Sequence, residues 1–118
     1  MKRIVLGSKI HRAAVTESVL DYEGSLGLDG DLMKAAGMIP FEQVHVYNIS
    51  NGERFSTYLI KAKEGSGTVA VYGAAAHKAK VGDKLIVVSY VLLEEEETEF
   101  IVPRIVILDE GNRIKEVK

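Results

Sequence analysis

Asn51-Gly52 lies between two runs of alternating residues, and this commits the middle of the chain to antiparallel strands. Before the pair, Val44, Val46 and Asn48 alternate with His45, Tyr47 and Ile49. After it, Arg54, Ser56, Tyr58 and Ile60 alternate with Phe55, Thr57 and Leu59. An Asn-Gly pair supplies the positive φ angles of a type I′ turn, whose twist suits a hairpin. Residues 42–63 therefore read as a hairpin in which Arg54 and Tyr58 share one face and Thr57 points to the other.

The flanking segments read as further short strands. Residues 2–12 form a strand through Ile4, Val5, Leu6 and Ile10, with Lys9 and His11 on one face. Residues 14–22 fit either a short helix or a strand. Thr16-Glu17 favours a turn, and Val19 to Tyr22 then run extended into Gly24. Ser25 to Leu28 continue extended. Asp29 is a good N-cap for a short helix that Gly37 ends and Pro40 keeps from resuming. Gly65-Ser66-Gly67 marks a turn before a strand at Thr68–Val71, and Val81-Gly82-Asp83 turns into an apolar strand, Lys84–Leu93. The acidic run at Glu94–Glu97 and Glu99 is a solvated helix or loop, since like charges prefer water. Ile101–Leu108 is a last strand, with Pro103 at an edge or at the start of its paired part. The polar tail from Asp109 is expected to fray. Many short strands, a hairpin and short helices argue for a mainly β barrel or sandwich.

A chain of 118 residues makes one domain, 1–118, with a single core. The net charge of −2 leaves no electrostatic footprint for nucleic acid. Ile4-Val5-Leu6 is too short for a signal h-region, and no apolar stretch is long enough to span a membrane. With no cysteine, disulfides and thiolate metal sites are ruled out, which fits a reducing, cytoplasmic setting. His11, His45 and His77 lack metal-ligand spacing, so no metal is expected.

The chemistry concentrates at Tyr22-Glu23-Gly24-Ser25. Glycine leaves its own carbonyl open to attack and tolerates strained backbone, and the next residue carries a hydroxyl within reach of that carbonyl. Attack would replace the amide by an ester. β-Elimination and hydrolysis would then leave a pyruvoyl group, a ketone carried by the chain that can condense with an amine and act as an electron sink. Gly-Ser pairs are ordinarily turns. The surrounding motifs distinguish this one.

Lys9-Ile10-His11-Arg12, Tyr22-Glu23-Gly24-Ser25, Asn51 to Tyr58 and Gly73-Ala74-Ala75-Ala76-His77 occur in this order and at these positions. Together they resemble the pyruvoyl-dependent aspartate decarboxylase family from about Lys9 to Val91. The resemblance implies a double-psi β-barrel assembled as a homotetramer, with sites between subunits. It implies self-cleavage into 1–24 and 25–118, with a pyruvoyl group made from Ser25. It also implies decarboxylation of L-aspartate to β-alanine, which feeds pantothenate synthesis. The residues matching the family's motifs are Tyr58 as proton donor, Thr57 as the oxyanion stabiliser of self-processing, and Lys9, Arg54, Thr57, Gly73, Ala74 and Ala75 as substrate contacts. His11, Tyr22 and Tyr72 fall in supporting positions.

Two points remain open at this level. Alternation separates Thr57 from Tyr58, so either a bulge re-aims one of them or the site draws on both strand faces. Tyr72 stands where members of the family carry asparagine, which leaves room for a different amino-acid substrate. A catalytically silent barrel used for binding or assembly is the alternative from another class. Arg54 is expected to hold the carboxylate that is retained. A tight ion pair on the departing one would stabilise the ground state more than the transition state.

Overall fold

The computed structural model describes residues 1–118. Nine strands run through the chain: β1 (Lys2–Ala14), β2 (Glu17–Val19), β3 (Ser25–Asp29), β4 (Gln43–Asn48), β5 (Arg54–Ala62), β6 (Val69–Tyr72), β7 (Lys84–Glu94), β8 (Arg104–Leu108) and β9 (Ile114–Val117). They hydrogen-bond in the order β2-β6-β3-β5-β4-β7-β1-β8-β9. Three of the pairings are parallel, β1 with β8, β2 with β6 and β3 with β5. The fold is mainly β with short helices, and this mixed, crossing strand order fits a double-psi β-barrel. No helix is long and apolar enough to cross a membrane.

The core follows from the alternation. Ile10, Leu26, Leu28, Val44, Val46 and Leu59 are fully buried. Their strand neighbours Lys9, His11, His45, Tyr47 and Tyr58 are half-buried or exposed. The one α-helix, α1 (Gly30–Ala36), forms as expected: the Asp29 side chain accepts from Asp31 N, and Gly37 closes it in the left-handed conformation. Asp29 also accepts from Gly65 N and Gly67 N, so the same carboxylate that caps the helix pins the turn before β6. The acidic run forms a 3₁₀ helix, Glu95–Phe100, with a capping box from Glu94 and Glu97.

Four expectations need correction. The hairpin connection is not a type I′ turn. Only Gly52 has positive φ there, and Gly52 N donates to Asn48 O while Ser50 N donates to the Asn48 side chain. Asn48 organises the loop, and the register becomes Tyr47 opposite Arg54. A two-residue turn at Asn51-Gly52 would have set Ile49 there. The shift is two residues, which preserves faces. Glu17 is not in a turn: it begins β2, because Thr16 Oγ1 and the neighbouring backbone bind β6 at Val69. Residues 20–22 then bend instead of running extended. The tail does not fray either. Asn112 is buried and bonds Ala14 N, Ala14 O and Gly67 O, and β9 pairs with β8. Finally, β5 has no register shift beside Thr57 and Tyr58, so the bulge is excluded.

Candidate active site

Ser25 opens β3 between parallel β5 and antiparallel β6, opposite Tyr72. The residue is 0% exposed, and its Oγ has no hydrogen-bond partner. Buried hydroxyls are nearly always bonded, so an unpartnered one next to the Gly24–Ser25 peptide singles this position out. Gly24 stands just outside the strand. Against it lies Gly73, whose φ is +70°: a Cβ on Gly73 would meet Gly24 Cα at 2.6 Å, Gly24 N at 2.8 Å and Tyr22 O at 2.8 Å. Only glycine permits backbone to approach backbone this closely. Gly73 also starts a 3₁₀ helix, Gly73–His77. Within that helix Ala74 is exposed and Ala75 packs on the core.

Two aromatic rings flank this junction. Tyr22 and Tyr72 lie 4.8 Å apart, tilted by 39°. The Tyr72 ring covers Gly27, where a Cβ would sit 3.1 Å from its edge. Burial, reinforced by the negative charge of Glu17 and by Tyr22, pushes the Tyr72 phenol above its ordinary range, so it stays protonated at neutral pH. On the other side, β5 places Thr57 and Tyr58. Leu26 is level with Leu59. Ser25 is the residue just before that pairing begins on β3, and Tyr58, after Thr57, is the residue just before it on β5.

Lys9, His11 and Arg54 belong to a second group on the outer face of the sheet. Across the strands, His11, Ile86, Tyr47 and Arg54 form one row, and Lys9, Val88, His45 and Ser56 form the next. Lys9 lines an open cleft with Leu6, Tyr47, Ile86, Val88 and Tyr90. The Arg54 guanidinium sits over the Tyr47 ring, 4.5 Å from its centroid. Tyr47 and Tyr90 share a hydrogen bond of 2.9 Å between their hydroxyls, and this bond is the main reason the Tyr47 phenol is pushed up. The His11 imidazole is pushed down, first by burial and then by Lys9 and Arg12, and its Nδ1 is buried without a partner. It is therefore biased toward the neutral form. Tyr47 and Tyr90 were missed as site residues. The signal available was that Tyr47 alternates onto the open face of its strand.

The structure thus brings Tyr22, Gly24, Ser25, Tyr72 and Gly73 together at one junction, and Thr57 and Tyr58 lie on β5 just before its pairing with β3. It brings Lys9, His11 and Arg54 together on the outer face of the sheet, which Tyr58 shares four residues or about 13 Å further along β5. His77 is exposed, and no group of three metal-ligating side chains gathers anywhere.

Comparison with known proteins identifies the family. A family model described as aspartate decarboxylase matches residues 1–115. The chain is 55% identical to aspartate 1-decarboxylase of Ralstonia nicotianae, covering 100% of this chain and 98% of that protein. It is 54% identical to the protein of the same name from Polynucleobacter asymbioticus, covering 100% and 98% of the two chains. It is 51% identical to that of Bordetella avium, covering 100% and 97%. A family model matched over nearly the whole chain and relatives matched end to end leave one assignment: the chain belongs to the aspartate decarboxylase family.

Proposed function

We propose that this chain is a self-processing carboxy-lyase that converts L-aspartate to β-alanine and carbon dioxide, with its electron sink made from Ser25. The observation that carries the proposal is the buried, unpartnered Ser25 Oγ beside Gly24, held under the backbone of Gly73. β-Alanine produced this way would feed pantothenate synthesis.

Self-processing uses the chain's own atoms. The Ser25 Oγ adds to the Gly24 carbonyl carbon, and its proton passes to the departing amide nitrogen. An ester and a free amine result. Thr57 donates to the oxyanion that forms on that carbonyl. Loss of the α-hydrogen of residue 25 then expels the Gly24 carboxylate and leaves dehydroalanine. One water enters and one ammonia leaves, giving the pyruvoyl end of fragment 25–118 and the new C-terminus of fragment 1–24. The junction fits such a group, because Ser25 is buried there and the backbone of Gly73 packs closely against Gly24. Once formed, the group supplies a ketone that takes up the substrate amine and withdraws electrons as carbon dioxide departs.

Around it, the chain's residues have separable tasks. Arg54 binds the retained carboxylate through its planar fork, and Lys9 adds a second cation. Tyr58 gives its proton to the carbon that has lost carbon dioxide. Ala74 and Ala75 leave backbone N–H groups close to the substrate. The separation of the Lys9–Arg54 surface from the Ser25 junction within one chain supports a site shared between copies in a homotetramer. Such sharing also explains how Thr57 and Tyr58 act from opposite faces without a bulge. The proposal needs no metal, nucleic acid or membrane partner, and a cytoplasmic setting suits it.

Intact-mass measurement of purified protein tests this. Fragments 1–24 and 25–118 are expected, the larger resisting Edman degradation. Ser25→Ala should give one uncleaved, inactive, folded chain. A silent binding module would give the intact chain from the parent sequence as well.

A further inference from the structure

Tyr72 remains without a task in the chemistry above, yet it touches the junction on both sides of the scissile bond. Its backbone pairs with Ser25, on the amine side of the scissile peptide. Its ring packs on Tyr22, on the acyl side. The ring is seated on Gly27, where any Cβ would crowd it. Ser25 is anchored in β3 by pairing with Tyr72 of β6, whereas residues 20–24 are exposed and lie outside the sheet. An acyl group held only by a bend would sample many orientations relative to the Ser25 hydroxyl. Attack requires a near-attack geometry with the reacting atoms about 3–3.5 Å apart, and loss of orientation is costly to the rate.

Resting on the self-processing proposed for Gly24-Ser25, we propose that Tyr22 and Tyr72 form an aromatic clamp across the scissile bond, and that Tyr72 is a positioning residue setting the rate of self-cleavage. The clamp acts by holding the bend that carries the Gly24 carbonyl against the strand that carries the hydroxyl. The phenol oxygens are not needed for this; the ring faces are. After cleavage the same contact keeps the new C-terminus of fragment 1–24 seated on fragment 25–118.

The test follows conversion of pulse-labelled full-length chain on denaturing gels, for the parent, Tyr22→Leu, Tyr72→Leu, the double variant and Tyr72→Phe. An aromatic pair of ordinary strength predicts that each Leu variant cleaves about three- to tenfold more slowly. The double variant should be no slower than the slower single one, since either change removes the same contact. Tyr72→Phe should cleave like the parent. Thermal melting checks the fold. Tyr22 sits exposed on a bend, so Tyr22→Leu keeps the fold and the test even where Tyr72→Leu does not. Parental cleavage in Tyr22→Leu overturns the clamp, as does multiplication of the two single effects in the double variant, or slow cleavage in Tyr72→Phe. A parent chain that stays intact overturns the processing proposal itself, and the clamp with it.

Discussion

Gly73→Ala offers the most direct probe of the junction. The added Cβ would lie 2.6 Å from Gly24 Cα and 2.8 Å from both Gly24 N and Tyr22 O, all of them backbone atoms. Ordinary contact begins near 3.4 Å, so these atoms must separate by roughly 0.6–0.8 Å. The left-handed backbone, φ +70°, adds strain of about 1–2 kcal/mol for alanine. Overpacking adds about 1–3 kcal/mol. The melting temperature should fall by on the order of 10 °C. The larger effect is on rate: a displacement of about 1 Å at reacting atoms costs on the order of 10²-fold, so self-cleavage should slow by about 10- to 100-fold. Gly52→Ala is the control. Gly52 also has positive φ, +78°, but nothing lies within 4 Å of its added Cβ. It should show the backbone strain without any change in cleavage. Precursor conversion on denaturing gels and thermal melts of both variants decide the matter. Parental cleavage in Gly73→Ala, with a melt no lower than that of Gly52→Ala, would refute the close approach of Gly73 to Gly24.

Tyr58→Phe should mature normally but turn over aspartate roughly 10²–10⁴-fold more slowly, while Thr57→Val should mature slowly; the reverse pattern would exchange their roles. Arg54→Ala should raise KM for aspartate by about 10- to 100-fold, the worth of charged hydrogen bonds, with self-cleavage unchanged. Tyr47→Leu should raise KM about two- to fivefold through loss of the cation–π contact, and Tyr47→Phe should restore the parental value; an unaltered KM in Tyr47→Leu means the ring does not orient the guanidinium. The Asp83 carboxyl is held below the ordinary carboxylate range, first by the Asn48 side-chain hydrogen bond. A lowered folded pKa gives stability that is present above about pH 4 and lost as pH falls through the folded value. Acid unfolding curves should therefore flatten in Asp83→Asn, and an unchanged curve would assign the acid sensitivity elsewhere.

The faces of the strands were legible in the sequence because period two survives any even shift in register. Arg54 and Tyr58 could be placed together, and Thr57 apart, without knowing how the hairpin closes. What Arg54 faces was not legible. Asn-Gly suggested a two-residue turn, but the Asn48 side chain competes for the backbone of Ser50 and lengthens the loop, replacing Ile49 by Tyr47 as the partner of Arg54. The α1 cap and the acidic 3₁₀ segment were readable from local chemistry. β2 and β9 were not, since their short, polar strands depend on distant partners: the Thr16 hydroxyl on Val69, and Asn112 on Ala14 and Gly67. At the site, the Gly-Ser chemistry was visible as a possibility. The absence of any partner for the Ser25 hydroxyl, and the depth at which Gly73 meets Gly24, arise only from packing.

The central position of β1 bears on the life of the protein after processing. This strand lies between β7 and β8, pairs with β7 along nearly its whole length, and would fall entirely within the proposed fragment 1–24. Cutting after Gly24 would therefore leave the short fragment woven into the sheet, with no free route of departure short of unfolding. It would also change the order of the folding reaction. The precursor finds β1 within its own chain at a high effective concentration, whereas the cut form must recapture it from solution. Folding must then precede cutting. A mature molecule that unfolds in dilute solution faces a bimolecular return, so its persistence is governed by its rate of unfolding.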